Sequence, residues 1–301
     1  MVSYNGWLST SGTKLINEKQ QEIQLAGISS HGIQWFPEVV TYDNLKYLKE
    51  NWNTNVFRVA MYSEGYVANP DKIKSTLINI VDTCIDLDMY VIIDWHILAD
   101  NNPNTYSNQA SLFFDEISTK YANTPNVIYE ICNEPNGNDV TWDKDIKPYA
   151  EKIIPIIRKN SPKSLIIVGT PFWCQKLEAA ADNPLNFNNI VYACHFYSGS
   201  HGKELKNSID YALSKNIPIF VSECGMTDAS GNGILYFNEF DSWIKFLDNR
   251  NISWIVWSFA NKDESSAILK PSYNASTNPK LNIDDYLTEA GKHLKNIFNQ
   301  R

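Results

Sequence analysis

Val127-Ile-Tyr-Glu-Ile-Cys-Asn-Glu-Pro135 is a short apolar, strand-like run that delivers a carboxylate, Glu134, at its end. A second run, Pro218-Ile-Phe-Val-Ser-Glu-Cys-Gly225, delivers Glu223 in the same way. Parallel α/β proteins expose their reactive groups at the carboxyl ends of such strands. A carboxylate set beside so much buried apolar sequence is costly unless chemistry uses it. These two runs therefore raise the question of how many others like them the chain holds.

Apolar runs of strand length recur along the chain with long amphipathic segments between them. They are Leu25–Ser30, Asn55–Met61, Tyr90–His96, Val127–Cys132, Leu165–Gly169, Ile190–Phe196, Ile217–Ser222 and Ser253–Phe259, eight in all. Between Asp71 and Leu87 the residues Ile73, Leu77, Ile80, Val81, Cys84 and Ile85 form a stripe of helical period. Thr141–Asn160, Leu235–Asp248 and Asp284–Phe298 show the same period, and Ser161-Pro162 stops the first of these three. Strands alternating with helices imply parallel pairing through right-handed crossovers. Near-continuous apolar strands suit a sheet covered on both faces. Eight units in one chain predict an α/β fold, a (β/α)8 TIM barrel. An open doubly wound sheet would want a Gly-rich phosphate turn after its first strand, and Gly27-Ile-Ser-Ser-His-Gly32 does not supply one. Residues 4–24 precede the first barrel strand; their turn at Ser11-Gly12 predicts an N-terminal β-hairpin capping the barrel bottom. No repeat, low-complexity tract or linker interrupts residues 1–301, so a single catalytic domain is expected.

Composition narrows the function. Of the 301 residues, 43% are hydrophobic and 20% charged, a globular balance with ample core material. A formal net charge of −8 argues against nucleic acid or an anionic membrane as partner. No run approaches the roughly 18 apolar residues of a membrane span. The 5 Cys show no metal-type spacing and read as buried small hydrophobes. No cofactor and no catalytic metal are expected, since no His-x-His or similar cluster is present. Most of the 9 Trp and 16 Tyr belong to the core.

The strand ends present His31, Arg58, Asp94 and His96, Asn133 and Glu134, His195 and Tyr197, Glu223, and Trp257. A lone His or Arg is usually structural; polar or aromatic groups at nearly every strand end make a site. Glu134 and Glu223 fall on the fourth and seventh strands, whose ends face each other across the mouth of a closed barrel. Two carboxylates about 5–5.5 Å apart suffice for cleaving a glycosidic bond with retention of configuration. Glu223 is expected to be ionised and held by Arg58 and Tyr197, Glu134 to carry the proton, and Asn133 to meet a sugar 2-hydroxyl.

At Asn133-Glu134-Pro135 the chain resembles glycoside hydrolase family 5. Ser29-Ser-His-Gly-Ile-Gln-Trp-Phe36, Ile131-Cys-Asn-Glu-Pro-Asn-Gly137, His195-Phe-Tyr197, Asp228-Ala-Ser-Gly-Asn-Gly233 and Trp257-Ser-Phe259 are similar to its bacterial endo-β-1,4-glucanases, in this order and over the whole chain. The resemblance implies that Glu134 is the acid/base and Glu223 the nucleophile. It implies that Arg58, His96, Asn133, His195 and Tyr197 surround the cleaved sugar, with Trp257 as the platform beneath it. His31, Trp35, Tyr62, Lys262 and Glu264 would contact sugars on the non-reducing side, and Trp173 would stack on the leaving-group side. Aromatic faces suit pyranose rings, and charged or amide groups suit their hydroxyls. Cys224 stands where the family commonly has Trp; its side chain is expected on the opposite face from Glu223, altering packing and not chemistry.

The expected function is hydrolysis of internal bonds in cellulose or mixed-linkage β-glucan. Alternatives are a mannanase, a xyloglucanase or a non-catalytic glycan-binding barrel. The partner would then be a β-glucan polysaccharide or oligosaccharide, bound by a monomer. Because a polymer cannot enter a cell, secretion is expected, with the signal peptide absent from this chain; the unpaired Cys are mild counter-evidence.

Overall fold

A computed structural model describes residues 1–274 and 282–301. An antiparallel pair comes first, β1 (Ser9–Ser11) and β2 (Lys14–Ile16), joined through Gly12 at φ 58°. Eight strands follow: β3 (Ala26–Ser30), β4 (Val56–Tyr62), β5 (Tyr90–His96), β6 (Val127–Glu130), β7 (Ile166–Val168), β8 (Ile190–Tyr197), β9 (Ile219–Gly225) and β10 (Trp254–Phe259). They close into a barrel in chain order, with β10 returning to β3, and every barrel pair is parallel. The (β/α)8 architecture read from the runs is the one observed.

Alternation along each strand divides its residues between two cores. Outward-facing residues such as Phe57, Val59, Ile93, Tyr129, Ile166 and Cys194 pack under the helices in one large cluster. Inward-facing ones form a second cluster: Val56, Tyr90, Ile92, Ile128, Leu165, Ile167, Val191, Ala193, Phe220 and Ile255. Val2, Leu8 and Leu15 join that inner cluster, so the N-terminal segment plugs the barrel at the beginnings of the strands. Further along the same strands the inward positions turn polar, beginning with Arg58, Asp94 and Glu130, all 0% exposed. The barrel is thus apolar below and ionic above.

The helices follow the apolar stripes. Pro70–Asp86 buries Ile73, Leu77, Ile80, Val81 and Cys84, the predicted face. Thr141–Asn160 divides into a wide π turn, Trp142–Ile146, and a regular helix from Lys147, with Pro148 in its first turn, where a missing N–H costs nothing. The last helix begins at Glu289 because the Thr288 hydroxyl caps Gly291 N; a short 3-10 turn, Ile283–Tyr286, precedes it. Tyr42–Trp52, Ser107–Lys120 and Lys203–Ser214 are further helices. All five Cys are free and buried.

Two strand ends differ from the sequence reading. β6 stops at Glu130, and Glu134 lies in the segment beyond it. Single bonds, Ile131 N to Ile167 O (3.0 Å) and Asn133 N to Trp95 O (3.1 Å), hold that segment until Pro135 ends it. The second difference is in β9. Between Ala193 and His195 the β8 chain advances two residues while β9 advances from Phe220 to Glu223. From Trp254 to Val256 on the other side, β9 again advances three, from Val221 to Cys224. One extra residue, a β-bulge, therefore sits in β9 beside Glu223. Bulges re-aim side chains, and here adjacent Ser222 and Glu223 both reach the polar interior while Cys224 packs in the outer cluster.

Candidate active site

Above the apolar plug, Arg58 binds three carboxylates at once. Its Nε donates to Glu130 Oε2 (2.7 Å), Nη1 to Glu223 Oε2 (3.1 Å) and Nη2 approaches Asp94 Oδ2 (3.0 Å). Burial works against its charge, but Asp94, Glu130 and Glu223 outweigh that and hold the guanidinium well above its ordinary range. Nη2 also donates to Asn133 Oδ1 (2.7 Å), which fixes the orientation of that amide. Asn133 Nδ2 must then donate to His96 Nε2 (3.1 Å) and Ile97 O (3.0 Å). His96 Nε2 is an acceptor, so its proton sits on Nδ1 and points at Asp94 Oδ2 (2.6 Å). Burial, then Arg58, pushes His96 down to about 3, in keeping with a neutral ring.

Glu223 receives a second donor, the Tyr197 hydroxyl, on Oε1 at 2.7 Å. Burial, then Glu223 and Glu134, push that phenol far up, so it stays protonated and donates. Gly225 makes the contact possible: a Cβ there would lie 2.5 Å from the Tyr197 ring. Glu134 meets His195 Nδ1 through Oε1 at 2.8 Å. His195 Nε2 donates to Ser222 Oγ (2.9 Å), whose single proton goes to Glu130 Oε1 (2.6 Å). Burial disfavours the charged imidazole, yet Glu130, 3.8 Å away behind Ser222, the hydrogen bond to Glu134 and the field of the carboxylates raise it to about 9. The bulge matters here, because it lets Ser222 serve His195 while its neighbour serves the cleft.

Ligand-type atoms of Glu134, His195 and Glu223 all lie within 4.8 Å of one another, which by spacing alone could hold a metal. A doubly donating imidazolium has no lone pair to offer one, so the group suits acid–base and nucleophilic work better.

These groups open into a cleft of about 730 Å³. Of the residues expected in the site, His31, Trp35, Tyr62, His96, Glu134, Trp173, His195, Tyr197, Glu223, Trp257, Lys262 and Glu264 line it. Arg58 and Asn133 lie beneath its floor, both 0% exposed. On one side, Trp257 stacks near His96 (5.5 Å, 24°) and His31 (4.8 Å), and Trp35 packs edge-on to Tyr62 at 4.7 Å. Lys262 reaches Glu264 at 2.5 Å, and burial, then Lys262, lower His31 to about 3. On the other side stand Phe172, Trp173 and Gln175. Sequence reasoning passed over Glu130 and Ser222. Glu130 lies two residues from inward-facing Ile128, a period-two signal that could have found it; Ser222 depends on the bulge and left none.

The cellulase model of glycosyl hydrolase family 5 matches residues 16–263. An endoglucanase of Clostridium saccharobutylicum is 50% identical over 296 residues, 98% of this chain and 65% of the relative. Endoglucanase A of Evansella cellulosilytica is 53% identical over 254 residues, 84% of this chain and 52% of the relative. The chain therefore spans between half and two thirds of the length of these relatives. The catalytic domain of Thermobifida fusca endoglucanase Cel5A, solved with cellotetraose, superposes with a TM-score of 0.93 at 35% identity, covering 99% of each chain. With its barrel, its paired carboxylates and these relatives, the chain belongs to glycosyl hydrolase family 5, the cellulases.

Proposed function

We propose that the chain is the catalytic part of a retaining endo-β-1,4-glucanase that cuts internal bonds of cellulose or mixed-linkage β-glucan. The observation that carries this reading is the approach of Glu134 and Glu223 oxygens to within 4.8 Å, each held by its own donors. That spacing favours direct attack by a carboxylate over the wider gap, about 6.5–9.5 Å, that a water-activating pair needs. Glu223, oriented by Arg58 and Tyr197, attacks the anomeric carbon as Glu134 protonates the departing glycosidic oxygen. A glycosyl ester on Glu223 results. His195 then donates to the Glu134 carboxylate, which takes a proton from the incoming water as the ester breaks and Glu223 is released. Asn133 Oδ1, with one lone pair unused, is left for the sugar 2-hydroxyl. Trp257 lies under the reacting sugar, and Trp35, His31, Tyr62, Lys262 and Glu264 hold the sugars beyond it. The relative bound to cellotetraose supports a β-1,4-linked glucan in this groove. The polymer substrate implies action outside the cell by a secreted protein, and a cleft lined by this one chain suits a monomer.

Glu223→Gly and Glu134→Ala separate the two roles. Each should lose at least about 10³-fold in kcat on carboxymethylcellulose. On an aryl β-cellobioside, whose leaving group departs without a proton, added azide should rescue the first by forming an α-glycosyl azide and the second by forming a β-glycosyl azide. Near-normal hydrolysis by either variant sinks the assignment. Mannan or xyloglucan turned over faster than β-glucan would move the substrate, and tight binding without release of reducing sugar would make the barrel a glycan-binding module.

A further inference from the structure

Pro171–Cys174 follows β7 as a single turn in which three successive residues take left-handed backbone angles, Phe172 (φ 57°), Trp173 (φ 54°) and Cys174 (φ 60°). Non-glycine residues rarely sit there, and three in a row persist only where the surroundings hold them. The holding bonds are visible. Trp173 N donates to Pro135 O at 3.0 Å, and Cys174 Sγ donates to Asn133 O at 3.0 Å. The turn is thereby clamped to the residues on either side of Glu134. This strained backbone presents Phe172, 41% exposed, at the cleft wall. Its ring meets that of Trp173 edge to face, 5.0 Å between centroids at 76°, and Lys176 Nζ stands 5.7 Å from it.

Phe172 shares the cleft lining with Trp173, and the part of its ring that Trp173 leaves uncovered faces the space a ligand would fill. We propose that Phe172, the residue before Trp173, forms a second sugar contact on the leaving-group side and so favours substrates extending at least two sugars past the cleaved bond. The inference rests on the glucanase reading above. Trp173 offers the floor for the first departing sugar, while Phe172, nearly perpendicular, is the wall against which the next one rests. Lys176 supplies an ammonium for that sugar's hydroxyls. The clamp to Pro135 and Asn133 keeps this corner in register with the acid that protonates the linking oxygen.

The test compares wild type, Phe172→Asn and Phe172→Trp. Asn tolerates the left-handed angle, so loss of the ring is separated from loss of the turn. Each protein is assayed on reducing-end-labelled cellopentaose and on an aryl β-cellobioside whose leaving group is one ring. For Phe172→Asn, the ratio of kcat/KM for cellopentaose to that for the aryl substrate should fall about threefold to tenfold, the size of one aromatic contact. Cleavage should also shift toward the bond that leaves a single sugar, and Phe172→Trp should restore both. An active wild type with an unchanged ratio and pattern in Phe172→Asn would overturn the inference alone. Equal losses on both substrates would make Phe172 a prop for Trp173 and overturn it too. A wild type that cleaves no cello-oligosaccharide would overturn the glucanase reading and take this inference with it.

Discussion

Arg58 and His195 are the cations that hold Asp94, Glu130, Glu134 and Glu223, and the His195 proton sets much of the pH response of this group. His195 is raised from 6.5 to about 9, so the folded protein holds its proton more tightly than the unfolded chain does. Its contribution to stability is complete below about pH 6.5 and is lost as pH rises through about 9. Glu130 moves the other way: burial opposes its charge, but Arg58 and the His195 imidazolium behind Ser222 pull it down to about 2. Its contribution is complete above about pH 4.5 and is lost as pH falls through about 2. Glu130→Gln keeps the shape and removes the charge. At pH 7 it should lower unfolding free energy by about 3 kcal/mol, the lower end of the cost of breaking a buried pair, since Arg58 keeps two other carboxylates. It should also flatten the decline of urea midpoint between pH 7 and 9.5, because His195 loses the partner behind Ser222. An equally steep decline in both proteins would show that Glu130 does not sustain the imidazolium.

At the scale of the element, strand β9 does two jobs with neighbouring residues. Without the bulge, Ser222 and Glu223 would face opposite sides, and either the Ser222 link to His195 or the Glu223 carboxylate would be lost from the polar interior. After the bulge, Gly225 gives the Tyr197 ring its place. Gly225→Ala would drive a Cβ to 2.5 Å from that ring and lift the hydroxyl off Glu223. The expected loss in kcat is roughly 10²-fold, the cost of misplacing a reacting group by about 1 Å. In a Tyr197→Phe background, with no hydroxyl left to displace, the same substitution should cost much less in kcat while still destabilising the fold. Additive losses would contradict this route. The strands themselves were legible because runs such as Tyr90–His96 are apolar on both faces, and Arg58, Asp94 and Glu223 stood out against that background. The bulge was not legible, because register belongs to a pair of strands and neither β8 nor β10 announces it. Glu130 was legible as an inward position, two residues from Ile128, but its task was not, since that depends on Arg58 brought across from β4. Trp257 and Trp35 were legible as candidates, but their difference, 7% against 55% exposed, required the loops.

The whole barrel separates stability from chemistry by height. Strand beginnings are closed by Val2, Leu8 and Leu15, and strand ends carry the ion pairs and the cleft. This division is expected of the fold, in which one face supplies catalytic groups and the other supplies stability. The ionic end is a poor source of stability, since desolvation offsets much of what buried pairs return. The plug carries a share that the mouth cannot. Leu8 is 2% exposed and Leu15 is 7% exposed, and each packs among inward residues such as Val56, Tyr90 and Leu165. Leu8→Ala and Leu15→Ala should each cost about 2–4 kcal/mol of unfolding free energy by urea titration, through lost burial and the cavity left behind. Their kcat at 25 °C, measured well below the unfolding transition, should stay within about twofold of wild type, because the shortened side chains lie at the far end of the barrel from Glu134 and Glu223. Glu134→Gln should do the reverse, removing activity while leaving the urea midpoint nearly in place. If truncating the plug lowers kcat in step with stability, the two ends are mechanically coupled and the division by height fails. If it does not, the mouth can be altered for substrate while the plug is strengthened independently.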